Sequence, residues 1–205
     1  MQIFFSPYSP FVRKCLITAW ELGLHERIEL LPSNAHPVQR SQALVAINPL
    51  GKVPTFYTDE QQVLYDSRVI CEYLNALAQG EIFPCQLGPR MQALTLQALG
   101  DGMLEACLLA RYEEVARPAA YQWSDWRAAQ LDKVRSGLAH LEPQAAQLAQ
   151  RVDIGTITLA CVLWYLDLRF AAYGWRGQYP RLAAWYAAFS QRGSMRHEWA
   201  LAPGG

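Results

Sequence analysis

The spacing of the apolar positions changes near residue 80 and divides the chain into two parts. In the first part, short apolar runs alternate with stretches of helical spacing, which predicts strands and helices in turn. We predict strands at 3–5, 27–31, 52–58 and 62–65, and helices at 11–22 and after Asp66-Ser67. Ser9 is placed to cap the first helix, and Pro10 to occupy its first position. This order predicts a small α/β layer.

Beyond residue 90, every segment has the spacing of a helix. We predict helices at 91–112, 124–149, 159–170 and 180–192. Thr158 is expected to cap the intensely apolar third helix, Pro143 to end or kink the second, and Gly100 and Gly102 to bend the first or pack closely. The sequence therefore predicts a first domain at 1–79, a linker at 80–90, an all-helical domain at 91–205, and a flexible tail at 200–205.

Composition excludes several classes of protein. The chain of 205 residues is 52% hydrophobic and 18% charged, with eighteen basic residues balancing eighteen acidic ones. This balance leaves no basic track for nucleic acid, and no apolar run reaches the roughly 20 residues of a membrane span. The five cysteines are scattered, without a Cys-x-x-Cys pair or metal spacing. The opening run, Met1 to Phe5, is too short for a secretory signal. We expect a cytoplasmic protein with no metal site, membrane anchor or nucleic-acid partner.

Four local patterns follow one another along the chain. They are Ser9-Pro10-Phe11-Val12-Arg13-Lys14, Asn48-Pro49-Leu50-Gly51-Lys52-Val53-Pro54, the pair Asp66-Ser67, and a helical half from about residue 90. The helical half adds Gly100-Asp101-Gly102, Arg111-Tyr112-Glu113, and Tyr179-Pro180-Arg181-Leu182-Ala183-Ala184-Trp185. In this order the patterns resemble the glutathione transferase superfamily, in particular bacterial serine-type members near the theta, zeta and beta branches. The resemblance implies an α/β thioredoxin-like N-terminal domain and an all-α C-terminal domain.

The resemblance makes Ser9 the candidate catalytic residue. A thiol such as that of glutathione has a pKa of about 8.5, so only a small fraction is thiolate at neutral pH. A hydroxyl donor at a helix N-terminus, where the dipole favours negative charge, would stabilise that thiolate. Ser6 and Tyr8 are rival hydroxyls nearby, and helix capping alone is the alternative role for Ser9. Because the reacting position carries oxygen and not sulfur, thiol–disulfide exchange is disfavoured.

The resemblance assigns the rest of glutathione to three further segments. Val53-Pro54 matches the cis-proline position, where the Val53 backbone would pair with the cysteinyl unit; an ordinary trans-proline on an edge strand is the alternative. Asp66 and Ser67 would bind the γ-glutamyl end, although both would also cap a helix. For the glycyl carboxylate, the candidates are Asn34, His36 and Lys52.

The second substrate is expected against the helical domain. The residues that could line its pocket are Tyr8, Arg111, Tyr112, Trp164 and Arg169, of which the last four also have an explanation as core or as a surface pair. Relatives often begin the core helix of that domain with Ser/Thr-x-x-Asp, a capping box. Here Thr158-Leu159-Ala160-Cys161 replaces the aspartate, which predicts the loss of one hydrogen bond, or about 1 kcal/mol.

The leading hypothesis is a glutathione transferase in which the thiolate attacks a small, hydrophobic electrophile, as in detoxification. The alternatives are a glutathione-dependent peroxidase and a non-catalytic binding or regulatory protein, because fold does not settle function. A zeta-type isomerase is disfavoured, since the Ser-Ser-Cys run of those enzymes is absent. The resemblance also implies a homodimer, with glutathione as co-substrate and no permanently bound cofactor.

Overall fold

The computed structural model describes residues 1–33 and 35–197, which form two units. The first comprises Met1–Cys85 together with residues 192–197, and the second is Gln86–Gln191. This division differs from the predicted domains at 1–79 and 91–205, because the chain returns to the first unit after Gln191. Asn34 and the predicted tail at 200–205 lie outside the described residues.

A mixed four-stranded sheet forms the centre of the first unit. Its strands are β1 (Gln2–Phe5), β2 (Glu29–Pro32), β3 (Phe56–Tyr57) and β4 (Val63–Leu64), in the order β2-β1-β3-β4. β1 is parallel to β2 and antiparallel to β3, and β3 is antiparallel to β4. The third strand is shorter than the predicted 52–58, because Pro54 has no N–H to donate to a ladder. The fold class expected from the sequence is confirmed.

Four helices belong to the first unit: α1 (Pro10–Glu21), α2 (Gln42–Val45), α3 (Ser67–Ala78) and, after the second unit, α10 (Gly193–Arg196). α1 and α3 pack together, and the buried Sγ atoms of Cys15 and Cys71 lie 3.9 Å apart at their contact. The ring of Phe56 on β3 lies 5.9 Å from that of Tyr73 on α3. The core of this unit is therefore formed between the sheet and these two helices.

The regular secondary structure of the second unit is helical. Its helices are α4 (Leu87–Val115), α5 (Ser124–Leu141), α6 (Ala145–Leu148), α7 (Ile154–Arg169), α8 (Trp175–Gln178) and α9 (Pro180–Phe189). α4 packs against both α5 and α7. The helix predicted at 124–149 ends at Leu141, just before Pro143. Of the two effects predicted for Pro143, ending or kinking the helix, the structure thus has the first. α7 is buried along almost its whole length and forms the core of the unit.

The start of α7 corrects one prediction from the sequence. The helix begins at Ile154 and not after Thr158, and its cap is Asp153. Asp153 Oδ1 accepts from the N–H of Thr156 at 2.9 Å, and Thr156 Oγ1 accepts from the N–H of Asp153 at 2.9 Å. A complete capping box is therefore present. The predicted loss of a capping hydrogen bond at Cys161 is wrong, because Cys161 lies two turns inside the helix.

α4 and α7 run parallel and approach each other at glycines. A Cβ on Gly155 of α7 would lie 2.7 Å from the carbonyl oxygen of Ala93, and one on Gly100 of α4 would lie 2.7 Å from Cγ2 of Thr158. Of the two effects predicted for Gly100, the structure thus has close packing. α4 is also long and apolar enough to cross a membrane, which the sequence analysis did not predict. However, 56% of its most apolar 18-residue stretch is buried within the protein, as in the core helix of a soluble protein.

Candidate functional site

Ser9 lies directly before α1 and caps it, as predicted. Its Oγ accepts a hydrogen bond from the N–H of Val12 at 3.3 Å, and its N–H donates to the carbonyl of Ser6 at 3.1 Å. Because the cap uses only a lone pair, the hydroxyl hydrogen remains available; it has no acceptor within the described ranges. Capping and donation to a thiolate are therefore compatible roles for the half-buried Ser9.

The rival hydroxyls lie away from the helix cap. Ser6 is half-buried in the turn that precedes Ser9, and Tyr8 is 36% exposed. Neither lies where the dipole of α1 is strongest. Tyr8 was also predicted to line the second-substrate pocket; it belongs to the first unit, whereas the other residues predicted for that pocket belong to the second.

The sheet topology brings the predicted glutathione-binding segments of the first unit to one edge. Because β3 is antiparallel to β1, the segment before β3 lies where β1 ends, and the Phe4 N–H donates to the Thr55 carbonyl at 2.8 Å. Val53 is therefore near the point where the chain leaves β1 for Ser9. β4 is antiparallel to β3, so Asp66, which follows β4, emerges at the same edge. Residues distant in sequence thus converge.

The Val53–Pro54 peptide bond is cis, so the trans alternative is wrong. Buried Asn48 supports the loop before it: its Nδ2 donates to the Lys52 carbonyl at 3.2 Å and to Thr55 Oγ1 at 2.9 Å. Thr55 Oγ1 in turn donates to the Lys52 carbonyl at 2.8 Å. Within the part of the chain that the structure describes, nothing is hydrogen-bonded to the N–H or C=O of Val53. The sequence analysis included Asn48 in a motif but did not predict that its side chain supports this loop.

Asp66 caps α3, and Ser67 is its first residue. Asp66 Oδ1 accepts from the N–H of Arg68 at 2.9 Å, and Oδ2 pairs with Nη2 of Arg68 at 2.8 Å. Burial raises the pKa of Asp66, but the hydrogen bonds and charge of Arg68, together with the charge of buried Lys14, leave that pKa below its ordinary value. The carboxylate is therefore charged at neutral pH and can pair with an ammonium group, in competition with Arg68. The sequence analysis assigned no role to Arg68 or Lys14.

The loop between β2 and β3 carries the candidates for the glycyl carboxylate. His36 is exposed, but its Nδ1 accepts from the backbone N–H groups of Val38 and Gln39 at 3.2 and 3.0 Å. Lys52 is exposed and can reach a ligand. Arg40, which sequence reasoning missed, donates to the Pro49 carbonyl at 2.5 Å and adds a second cation beside this loop.

Three of the residues predicted for the second substrate come together in the helical unit. Arg111 and Tyr112 lie near the end of α4, and Arg169 is the last residue of α7. Burial raises the pKa of the Tyr165 phenol, and the charges of Arg111 and Arg169 oppose this effect, so both guanidinium groups act on the same buried hydroxyl. The ring of half-buried Trp164 lies 6.3 Å from that of Tyr165. Arg111, Tyr112 and Arg169, together with Trp164, thus form one cluster around Tyr165.

The first unit has the architecture of a thioredoxin-like layer, and the second is a helical domain. Together they define the glutathione transferase fold. Within residues 1–33 and 35–197, no group of three or more His, Cys, Asp or Glu side chains could hold a metal ion.

Comparison with known proteins identifies the family. Residues 8–77 match the model of the glutathione S-transferase N-terminal domain, and residues 124–188 match that of the C-terminal domain. The uncharacterised GST-like protein YibF of Escherichia coli strain K12 is 35% identical over 191 residues, which cover 89% of this chain and 90% of that relative. The chain belongs to the glutathione S-transferase family.

Solved structures give the same result. A glutathione transferase family member from Pseudomonas fluorescens Pf-5, with bound glutathione, is 44% identical with a TM-score of 0.92; the match covers 95% of this chain and 96% of the other. A second structure from that organism, at 42% identity, a TM-score of 0.87 and the same coverage, contains S-(propanoic acid)-glutathione.

Proposed function

We propose that this protein is a glutathione S-transferase that activates the thiol of glutathione for attack on a small electrophile. The observation that carries the proposal is the convergence of Ser9, Val53 and Asp66 at one edge of the sheet. Each offers a group suited to a different part of the tripeptide. Neighbours at 44% and 42% identity hold glutathione or a thioether of it, which supports the same class of ligand here.

Each residue has a distinct role in this proposal. The Ser9 hydroxyl donates to the glutathione sulfur and, with the N-terminal dipole of α1, favours the thiolate. The backbone of Val53 pairs with the cysteinyl unit as an added strand. Asp66 and Ser67 receive the γ-glutamyl ammonium and carboxylate, while Lys52, with Arg40, supplies positive charge for the glycyl carboxylate. Asn34 remains a further candidate, from the sequence, for binding the glycyl carboxylate.

The chemical step follows from these roles. The thiol of bound glutathione loses its proton to solvent, and the resulting thiolate forms a carbon–sulfur bond with an electrophilic carbon. Either a leaving group departs with its bonding electrons, or the electrons of a carbon–carbon double bond move to the neighbouring carbon, which takes a proton from solvent. Ser9 keeps its own proton throughout, because it acts as a hydrogen-bond donor to sulfur.

Calorimetric titration with glutathione tests the proposal, together with the ultraviolet absorbance of the bound thiolate. We expect wild type, Ser9→Ala and the matched control Ser6→Ala all to bind. Only Ser9→Ala should lose the thiolate absorbance, and its turnover of a model electrophile should fall about 100-fold. Absence of binding to wild type at millimolar glutathione would refute the proposal. Binding without thiolate or turnover would favour a non-catalytic binding protein, and turnover confined to an organic hydroperoxide would favour a peroxidase.

We also infer a cytoplasmic homodimer, in keeping with the family. One feature of the first unit supports self-association: Val69 and Leu77 of α3 are apolar, on the same face of the helix, and 47% and 40% exposed. Light scattering on wild type and Val69→Glu tests this assembly, with a monomeric mass for wild type as the contrary result.

A further inference from the structure

Cys15 of α1 and Cys71 of α3 form a pair of thiols inside the first unit. Their Sγ atoms lie 3.9 Å apart, and the two residues are 1% and 0% exposed. The thiol of Cys71 donates to the sulfur of Cys15, and the thiol of Cys15 donates to the Ser67 carbonyl at 3.8 Å. The pair is therefore in contact with the first residue of α3.

The two sulfurs are close enough to be joined without a change of fold. A disulfide has an S–S distance of about 2 Å, so the sulfurs must approach each other by roughly 2 Å. Both residues lie inside helices and not in loops. The approach therefore requires side-chain rotation together with a small shift of α3 against α1.

We infer that Cys15 and Cys71 form a reversible disulfide with hydrogen peroxide as the oxidant, and that this disulfide weakens the binding of glutathione. The effect on binding rests on the proposed function, in which Ser67 receives the γ-glutamyl carboxylate. The disulfide removes the thiol hydrogen that Cys15 donates to the Ser67 carbonyl. It also draws the start of α3 towards α1. Oxidation thus displaces a residue on which glutathione binding depends.

The reaction has two steps. Cys15 reacts first, because its sulfur accepts a hydrogen bond from Cys71, which favours the thiolate. The thiolate attacks one oxygen of the peroxide and the O–O bond breaks; the other oxygen leaves as hydroxide and takes up the proton that the thiol has lost, which gives water. The Cys71 sulfur then attacks the sulfenic acid on Cys15, the S–O bond breaks, and the hydroxyl leaves with the Cys71 proton as a second water. Two thiols are oxidised, and one peroxide is reduced to two waters.

Burial slows this reaction and also selects the oxidant. Hydrogen peroxide is little larger than water, so it needs only a local opening between α1 and α3, whereas a bulky disulfide needs a much larger one. Once Cys15 is oxidised, the neighbouring Cys71 thiol intercepts the sulfenic acid before more peroxide can oxidise it further.

A purely structural role for the same cysteines is the alternative, because a buried thiol behaves as a small apolar side chain. In that role, peroxide would leave both thiols intact or oxidise each of them separately. The chain offers an internal comparison, since Cys107 of α4 is also fully buried. A disulfide confined to the pair therefore separates the two explanations.

The experiment treats the full-length Cys85→Ser protein with hydrogen peroxide, because Cys85 is exposed and could link two chains. The remaining thiols are alkylated under denaturing conditions, and the protein is digested with trypsin. Cleavage after lysine and arginine places Cys15 in peptide 15–27 and Cys71 in peptide 69–90. We expect these two peptides to be cross-linked, with a mass lower by two hydrogen atoms, and Cys107 to be recovered as the alkylated thiol.

Glutathione affinity is measured by calorimetry on the same protein before and after oxidation. We expect oxidation to lower the affinity on the order of fivefold, which corresponds to the loss of one hydrogen bond. A phosphine reductant should restore the affinity, because it reduces a disulfide but not a methionine sulfoxide. The matched control, Cys15→Ala/Cys71→Ala in the same background, cannot form the disulfide, so peroxide should leave its affinity unchanged.

Conversion of Met91, which is 44% exposed, to its sulfoxide shows that the peroxide has acted. Met91 sulfoxide without the cross-link would overturn the inference, as would a cross-link that leaves glutathione affinity unchanged. Restoration by the phosphine decides the matter even where the control variant fails to fold. Failure of the reduced protein to bind glutathione is a different result: it removes the proposed function and the effect on binding, while the cross-link still decides whether the pair forms a disulfide.

Discussion

Arg192 forms a two-point ion pair with Glu21, a residue 171 positions earlier in the chain: its Nε and Nη2 donate to the two carboxylate oxygens at 2.8 and 2.6 Å. The hydroxyl of Ser194 donates to the same carboxylate at 2.5 Å. Nearer the start of α1, Nη2 of Arg13 donates to the Met195 carbonyl at 3.3 Å. The end of the described chain is thus held against α1, the helix that Ser9 caps.

This pair should stabilise the fold measurably. The Glu21 side chain is 12% exposed, so removing its charge leaves donors of Arg192 and Ser194 without their acceptor. We expect Glu21→Gln to lower the free energy of unfolding by about 1–3 kcal/mol in urea titrations. A double-mutant cycle with Arg192→Met measures the coupling. The exposed pair Asp132–Arg135 is the matched control, and a coupling for Glu21–Arg192 no larger than that of the control would contradict the prediction.

The same carboxylate predicts a dependence of stability on pH. Burial raises the pKa of Glu21, but hydrogen bonds from Arg192 and Ser194 and the charge of Arg192 leave the pKa below its ordinary value of 4.5. A carboxyl whose pKa is lower in the folded state stabilises the fold above the unfolded-state pKa and loses this contribution as pH falls through the folded value.

The difference in unfolding free energy between wild type and Glu21→Gln isolates this carboxyl from the other acids. We expect the difference to be constant from pH 7 to about pH 5, and to shrink below about pH 4. Urea titrations at several pH values measure it. A difference that persists undiminished at pH 3 would show that the charge of Glu21 does not carry the stabilisation.

Asn48 should matter for ligand binding through the loop that presents Val53. Its amide is buried and donates to both Lys52 and Thr55, so Asn48→Ala leaves that loop less constrained. We expect the affinity for glutathione to fall several-fold, in proportion to a loss of about 1 kcal/mol. Asn75→Ala, which changes an asparagine of α3 in the same unit, is the control. Equal effects of the two substitutions on glutathione affinity would indicate general destabilisation in place of a role in the loop.

Local signals made much of the first unit predictable. Two helix starts could be predicted to within a few residues. One is indicated by Ser9 followed by Pro10, and the other by Asp66 before a periodic apolar stretch. The start of α7 was missed for a related reason: the apolar run there continues upstream of Thr158, so the boundary depends on the cap at Asp153 and not on a change of spacing. Both of these successful predictions rested on chemistry confined to one turn of helix.

The contacts that were missed join residues far apart in sequence. No periodicity relates Arg192 to Glu21, and Arg40 reaches Pro49 only because the loop folds back on itself. The effect of the Lys14 charge on Asp66 likewise depends on how α1 packs against α3. Charge patterns along a chain do not specify such pairs, since many partners of either sign are available to each residue. They follow from tertiary packing.

The corrected cap of α7 gives a prediction that distinguishes the two assignments. Asp153→Ala removes the acceptor for the Thr156 N–H and should cost about 1–2 kcal/mol, while Asp153→Asn keeps the acceptor and should cost less. If the cap were at Thr158, Cys161→Asp would complete a capping box and stabilise the protein. The structure predicts the opposite, because Cys161 is fully buried and an aspartate there has no partner. Urea denaturation of the three variants decides between these assignments.

Replacing Gly100 or Gly102 of α4 with alanine should change the stability of the protein in opposite directions. A Cβ on Gly100 would lie 2.7 Å from Cγ2 of Thr158, whereas a Cβ on Gly102 would meet nothing within 4 Å. Thr158 cannot easily turn aside, because it is fully buried and its Oγ1 donates to the Ile154 carbonyl at 2.7 Å. Gly100→Ala should therefore force α4 and α7 apart and destabilise the protein by about 1–3 kcal/mol.

Gly102→Ala, by contrast, should stabilise the protein by up to about 1 kcal/mol, since alanine is the better helix former at an exposed position. Each variant adds one methyl group, and the two sites are two residues apart, so thermal denaturation compares them directly. A Gly100→Ala protein as stable as wild type would mean that the two helices do not meet at Gly100.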